Sequence, residues 1–206
     1  MDTSAAERID SPVQSDPVPV KLAHVVLRTS QFNKLLEWYG TVFLTRTSYA
    51  NDMVAFLTYD DEHHRIAILN AGQLGKSPEM YVGVDHVAFT YGDLTDLLHN
   101  WDRLKKLGIE PFWCINHGPT TSMYYRDPDD NEIELQVDNF ETFEEATGYF
   151  GSEAFASNPI GVDFDPGLLL SKLREGVPVS ELLKQGSAPV AKGQELKYDR
   201  LSKGTD

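Results

Sequence analysis

Two histidines and one glutamate stand where their types and spacing could hold a metal ion. His24 lies in LAHVVLRT and His86 in VDHVAFTY, 62 residues apart and at the same place in two similar segments. Glu134 lies in NEIELQV, which closes the second of two repeated units. A lone strand histidine is most often a hydrogen-bonded core residue, and a lone glutamate on an alternating strand most often faces water. Taken together the three point elsewhere, because both histidines fall at equivalent points of a repeat whose last strand carries the carboxylate. Two imidazoles and a carboxylate leave coordination positions open, the donor set associated with non-haem Fe(II).

These residues need strands to present them. In each histidine strand the alternation puts His24 with Val26 and Arg28, and His86 with Ala88 and Thr90, away from the apolar positions between them. Glu134 lies opposite Ile133, Leu135 and Val137 in the same way. An unpaired buried carboxylate costs several kcal/mol, a cost that a bound metal ion would remove. The first unit then reads strand KLAHVVLR, a helix carrying Phe32, Leu35, Leu36 and Tyr39 with Ser30 as its cap, and strands VFLTRTSYA, MVAFLTYD and HRIAILN. The second reads GVDHVAFTY, a helix with Leu94, Leu97, Leu98, Trp101 and Leu104 on one face, and strands PFWCINH, TSMYYR and NEIELQV. The order is βαβββ twice, an α+β fold that an internal duplication explains.

Around this pair, residues 1–18 are expected to be a disordered lead-in, 19–139 the paired metal-binding domain, 140–186 a helical extension and 187–206 a flexible tail. Asp165 and Pro166 predict the start of one helix of the extension. Its Leu168, Leu169 and Leu173 must pack on the paired units or on a second chain, so a homodimer is compatible with the pattern. The single cysteine, Cys114, excludes an intrachain disulfide and a thiolate zinc site. A formal charge of -14 disfavours nucleic acid and anionic membranes as partners and leaves a small molecule. Neither a membrane span nor a secretory signal is visible, which makes the cytoplasm the expected location.

LAHVVLRT, VDHVAFTY and YYRDPDDNEIELQ resemble the vicinal oxygen chelate superfamily over roughly Val20 to Asn139. Within it the chain is most similar to type I extradiol dioxygenases in a one-domain form. That resemblance implies two tandem βαβββ modules and iron ligands at His24, His86 and Glu134. It implies a reaction in which Fe(II), or Mn(II), and O2 open a catecholic diol. HHRIAIL is similar to the segment that supplies the family's catalytic histidine, which falls on His64. Tyr124 matches the tyrosine that hydrogen-bonds bound catecholate, and His117 the histidine beside it. Aligning RIAIL with EIELQ sets Ala67 opposite Glu134, so the first unit lacks the fourth ligand used by glyoxalase-like isomerases. Asp130 stands where the family turn usually has Gly, and Asp tolerates the left-handed region.

Other candidates read as ordinary. His99 lies off the apolar face of its helix, His63 must point away from His64, and the acids from Asp127 to Glu145 read as a turn and a solvated face. Trp38 and Trp101 read as packing, while Phe112, Trp113 and Tyr125 are ambiguous. Two rival functions share the fold: an isomerase, lyase or antibiotic-resistance enzyme using another metal, and a non-catalytic protein that sequesters an aromatic ligand.

Overall fold

A computed structural model of the chain describes residues 18–75 and 82–191. Most of the expected disordered lead-in and the last fifteen residues of the expected tail lie outside that range. The first unit comprises β1 (Val25–Thr29), α1 (Phe32–Phe43), β2 (Arg46–Ala50), β3 (Val54–Thr58) and β4 (Ile66–Asn70). The second comprises β5 (His86–Thr90), α2 (Leu94–Lys106), β6 (Trp113–Asn116), β7 (Thr120–Arg126) and β8 (Glu132–Asp138). Both are βαβββ, and in both the first strand pairs in parallel with the last: β1 with β4 and β5 with β8. The register makes the duplication concrete. Val26 faces Ala67 as Ala88 faces Glu134, so Ala67 occupies the first module's counterpart of the glutamate position.

One apolar core serves both modules. It contains Ile66 and Ile68 of β4, Ile133, Leu135 and Val137 of β8, Leu35, Tyr39 and Val42 of α1, and the leucine face of α2. Val25 and Leu27 of β1 and Val87 and Phe89 of β5 pack against it. Specific contacts tie the halves together. The Tyr39 hydroxyl donates to Asp127 at 3.1 Å, Arg103 donates to the carbonyls of Thr41 and Val42 at 2.8 and 3.1 Å, and the Phe43 and Phe89 rings lie 4.4 Å apart. Because side chains alternate along a strand, turning Val25, Leu27, Val87 and Phe89 into this core turns His24, Val26, His86 and Ala88 away from it.

The helix starts differ from expectation in one case. Asp93 caps α2 by accepting from the Asp96 amide, but Ser30 does not cap α1. Gln31 holds that place, and its side-chain amide is used elsewhere, donating to Pro128 O and Asp129 across the module boundary. Asp130 takes a positive φ of 66°, as its small polar side chain allows.

The extension is built into the second module. It comprises α3 (Phe143–Tyr149), α4 (Glu153–Ser157), β9 (Val162–Asp163), α5 (Pro166–Arg174) and α6 (Val179–Leu182). Neither α4 nor β9 is legible in the sequence, since each is too short to establish a period. β9 adds an antiparallel edge to β6, and Asp165 caps α5 by accepting from the Gly167 and Leu168 amides. Leu169 and Leu170 are buried, with Leu168 and Leu173 packed beside them. The expected tail from residue 187 is docked where it begins: Ala188 is fully buried and its carbonyl accepts from the Asp165 amide at 2.9 Å.

Truncation after Asn139 would strip β9 from β6 and uncover Trp113, Ile115 and the face of α2 that α5 covers. The expected result is an aggregating chain, or one without a cooperative thermal transition. A chain ending at Ala191 should melt as the full-length protein does. A cooperative transition in the shorter truncation, followed by circular dichroism, would show that the extension is dispensable.

Candidate metal centre and active site

The second module carries the more complete set of groups. His86 opens β5, and Glu134 sits on β8 beside Ala88, so imidazole and carboxylate share the face turned away from the core. Their Nε2 and Oε2 atoms are 3.0 Å apart. Glu134 is 4% exposed, and this pairing is what makes its burial tolerable. Burial pushes its carboxyl up, but hydrogen bonds from His86, Ser122 and Tyr124 outweigh burial and leave it below its ordinary value. In return the bond to Glu134 lifts His86 to about 9, with Asp85 contributing from the other ring nitrogen at 2.8 Å.

Tyr124 stands directly across from Glu134 in the β7–β8 register. Its hydroxyl is 3.0 Å from Nε2 of His117, whose Nδ1 lies 2.5 Å from the carbonyl of Ile160. A carbonyl only accepts, so Nδ1 carries a proton and the ring is fixed with Nε2 toward the phenol oxygen. Trp113 stacks on Tyr124 with centroids 4.9 Å apart, and its indole N–H donates to Asp163 of β9 at 3.0 Å. Phe112 extends this aromatic wall under the guanidinium of Arg126.

The extension fixes the geometry of His117. Gly161 has φ +121°, and a Cβ there would lie 2.3 Å from the carbonyl oxygen of Asn116 and 2.8 Å from Cα of His117. Glycine is therefore needed for the loop to approach closely enough for Ile160 to receive the histidine proton.

The first module supplies the other groups. His24 immediately precedes β1 and is exposed, with its ring centroid 4.3 Å from that of His64. His64 also stacks on Phe56 at 4.7 Å. Burial, then the charges of His24 and His63, hold His64 below the ordinary histidine value. His99 is exposed, as expected, but His63, also exposed, does not turn away from His64: the pair lies at the turn before β4 rather than on a strand, and the two ring centroids are 4.4 Å apart. Tyr125 and Trp101 are core residues, whereas Phe112 and Trp113 line the outward face beside Tyr124.

The structure thus joins His86 with Glu134, Tyr124 with His117, and His24 with His64. It does not unite the three expected ligands. Among the described residues no group of three or more His, Cys, Asp or Glu side chains is gathered closely enough to hold a metal ion. The physical reason is the shared core, which turns the faces carrying His24 and the His86–Glu134 pair outward. Residues that sequence reasoning missed are Asp85, Ser122, Asp163 and the Ile160 carbonyl. Ser122 was open to discovery, because it alternates with Tyr124 on the same face, while Ile160 and Asp163 reach the site only through an irregular loop.

The family model for the Glyoxalase/Bleomycin resistance protein/Dioxygenase superfamily matches residues 21–135, over half of the chain. The chain belongs to this superfamily. Two relatives of this superfamily member are Biphenyl-2,3-diol 1,2-dioxygenase 2 and Biphenyl-2,3-diol 1,2-dioxygenase 3 of Rhodococcus globerulus. The first is 45% identical over 79% of this chain and 86% of its own length. The second is 44% identical over 80% of this chain and 88% of its own. A glyoxylase/bleomycin resistance protein/dioxygenase domain from Frankia sp. EAN1pec shares the superfamily fold with a TM-score of 0.50 at 18% identity, covering 62% of this chain and 97% of that one. No helix among the described residues is long and apolar enough to cross a membrane.

The raised His86 makes the metal-free chain pH-sensitive. His86 holds its proton more tightly folded than unfolded, so the pair's stabilisation is complete below about pH 6.5 and is lost as pH rises through about 9. Thermal melts of metal-free protein should show a falling midpoint across that window, and His86→Gln should flatten the fall. An equal fall in the variant would assign the loss to other groups.

Proposed function

We propose that this chain is an extradiol ring-cleaving dioxygenase that uses Fe(II) and O2 to open a catecholic aromatic diol. The observation that carries the reading is the His86–Glu134 pair facing Tyr124 and His117, in a chain 45% identical to a biphenyl-2,3-diol 1,2-dioxygenase. Kinship with such dioxygenases implies a metal cofactor. The donors suit a divalent ion: His86 and Glu134 from one face and His24 from the other leave positions open for a diol and O2. Bound Fe(II) supplies a path for electrons between an aromatic diol and O2 that side chains alone do not offer.

The remaining groups divide the proton and binding work. His64, held below its ordinary value, is neutral near pH 7 and suited to take a proton from a diol hydroxyl and return it. Tyr124, fixed by His117, presents a phenol that can donate to or accept from a substrate oxygen. Trp113 and Phe112 beside it give a planar apolar surface for an aromatic ring. A catechol bearing a bulky aryl group, as in biphenyl-2,3-diol, fits that wall better than a small polar substrate. Ala67 at the counterpart of Glu134 supports this reading over the isomerase, which calls for a fourth protein ligand.

Protein loaded with Fe(II) under anaerobic conditions should hold about one ion per chain and consume O2 when given a catechol. His24→Ala, His86→Ala and Glu134→Ala should each lose iron and activity together. His64→Ala should keep its iron and still bind the diol while kcat falls roughly 10²-fold or more, as expected when a proton-transfer group is removed. Iron retained in full by two of the three ligand variants, or near-normal turnover of His64→Ala, would contradict these assignments.

A further inference from the structure

His64 ends a chain of polar contacts that starts outside the groups assigned above. Its Nδ1 lies 2.5 Å from Nδ1 of His63, and the two ring centroids are 4.4 Å apart. On the other edge of His63, Nε2 is 3.4 Å from Oε1 of Glu62, which also accepts from the His63 amide at 3.3 Å. Lys21 pairs with Oε2 of Glu62, and its bond holds that carboxyl below the ordinary value and so keeps it charged. The turn that carries these groups is tied down by the next residue. Arg65 donates from Nε to Asp60 at 2.9 Å and from Nη1 to the Leu22 and Ala23 carbonyls at 2.6 and 3.1 Å. The His64 ring itself rests against His24 and Phe56, with centroids 4.3 and 4.7 Å away.

Two ring nitrogens 2.5 Å apart share one proton, so one donates and the other accepts. Glu62 decides the direction. Its negative charge favours a proton on the nearer nitrogen of His63, Nε2, and a neutral imidazole carries only one. His63 Nδ1 is then the acceptor and His64 Nδ1 the donor, which leaves the lone pair of His64 on Nε2. We propose that His63 is a positioning residue for the reaction: it fixes His64 in the tautomer whose Nε2 is free to take a proton from the diol. What that nitrogen does rests on the functional reading above, whereas the tautomer rests on the contacts alone. An imidazole with no such partner favours the opposite tautomer in water, with its proton on Nε2 and no lone pair left there to accept another.

The tautomer can be read directly by nuclear magnetic resonance. In metal-free protein with isotopically labelled histidine nitrogens, two-bond nitrogen–proton correlations at about pH 8, above the ordinary histidine range, show which nitrogen of each ring is protonated. His64→Ala assigns the His64 signals by their loss. Wild type should show His64 protonated on Nδ1, and His63→Ala should move that proton to Nε2. His63→Asn, whose amide oxygen reaches the place of the lost Nδ1, should restore the wild-type pattern. His63 is exposed, so each of its variants should fold. Loaded with Fe(II), His63→Ala should keep its iron and its KM for catechol while kcat falls roughly 10- to 100-fold, and His63→Asn should recover most of the loss. His64 protonated on Nε2 in wild type, or the same tautomer in wild type and His63→Ala, would overturn the proposal. So would an unchanged kcat in a His63→Ala chain whose tautomer has shifted. Near-normal turnover of His64→Ala would overturn the proposal together with the functional reading of His64, and that variant alone tells the two failures apart, since the tautomer spectrum does not depend on activity.

Discussion

The shared apolar core is the constraint on which the rest of the molecule depends. Ile66 and Ile68 from one sheet, Ile133, Leu135 and Val137 from the other, and the apolar faces of α1 and α2 are buried together. Burying side chains of this kind contributes about 1.5–3 kcal/mol each, and the core sums many of them. That preference decides which way each alternating strand turns. Once Val25, Leu27, Val87 and Phe89 point inward, His24 and His86 have to point outward. The groups proposed as metal ligands are placed by the demands of the core residues beside them.

On the outward faces the energetic problem is reversed. Glu134 is almost wholly buried, and a buried carboxylate persists only with partners. His86, Ser122 and Tyr124 provide them, and Tyr124 is in turn held by His117 and the Ile160 carbonyl. The extension after residue 139 therefore orients the phenol as well as covering the second module. Its glycine at 161 allows the backbone to approach the histidine, its Asp163 accepts from the Trp113 indole N–H, and buried Ala188 beyond it pins the segment that caps α5.

Much of this was legible from the chain. Period-two alternation identified the faces of His24, His86 and Glu134, and the repeat set Ala67 against Glu134, as the strand registers show. Asp165 marked a helix start, and Asp130 a left-handed turn. Other features were beyond local pattern. Gln31 displaces Ser30 at the start of α1 because its amide bonds to a turn almost a hundred residues away. β9 spans two residues and exists only because β6 has an edge to offer. Alternation also says that a face is not core without saying what it meets, so the separation of His24 from the His86–Glu134 pair needed three dimensions to see.

The most direct measurement is an anomalous-scattering map at the iron edge from crystals of iron-loaded protein. One iron peak per chain is expected, held by Glu134 and His86. Iron lying away from Glu134, or no iron peak in an iron-loaded crystal, would contradict the assignment.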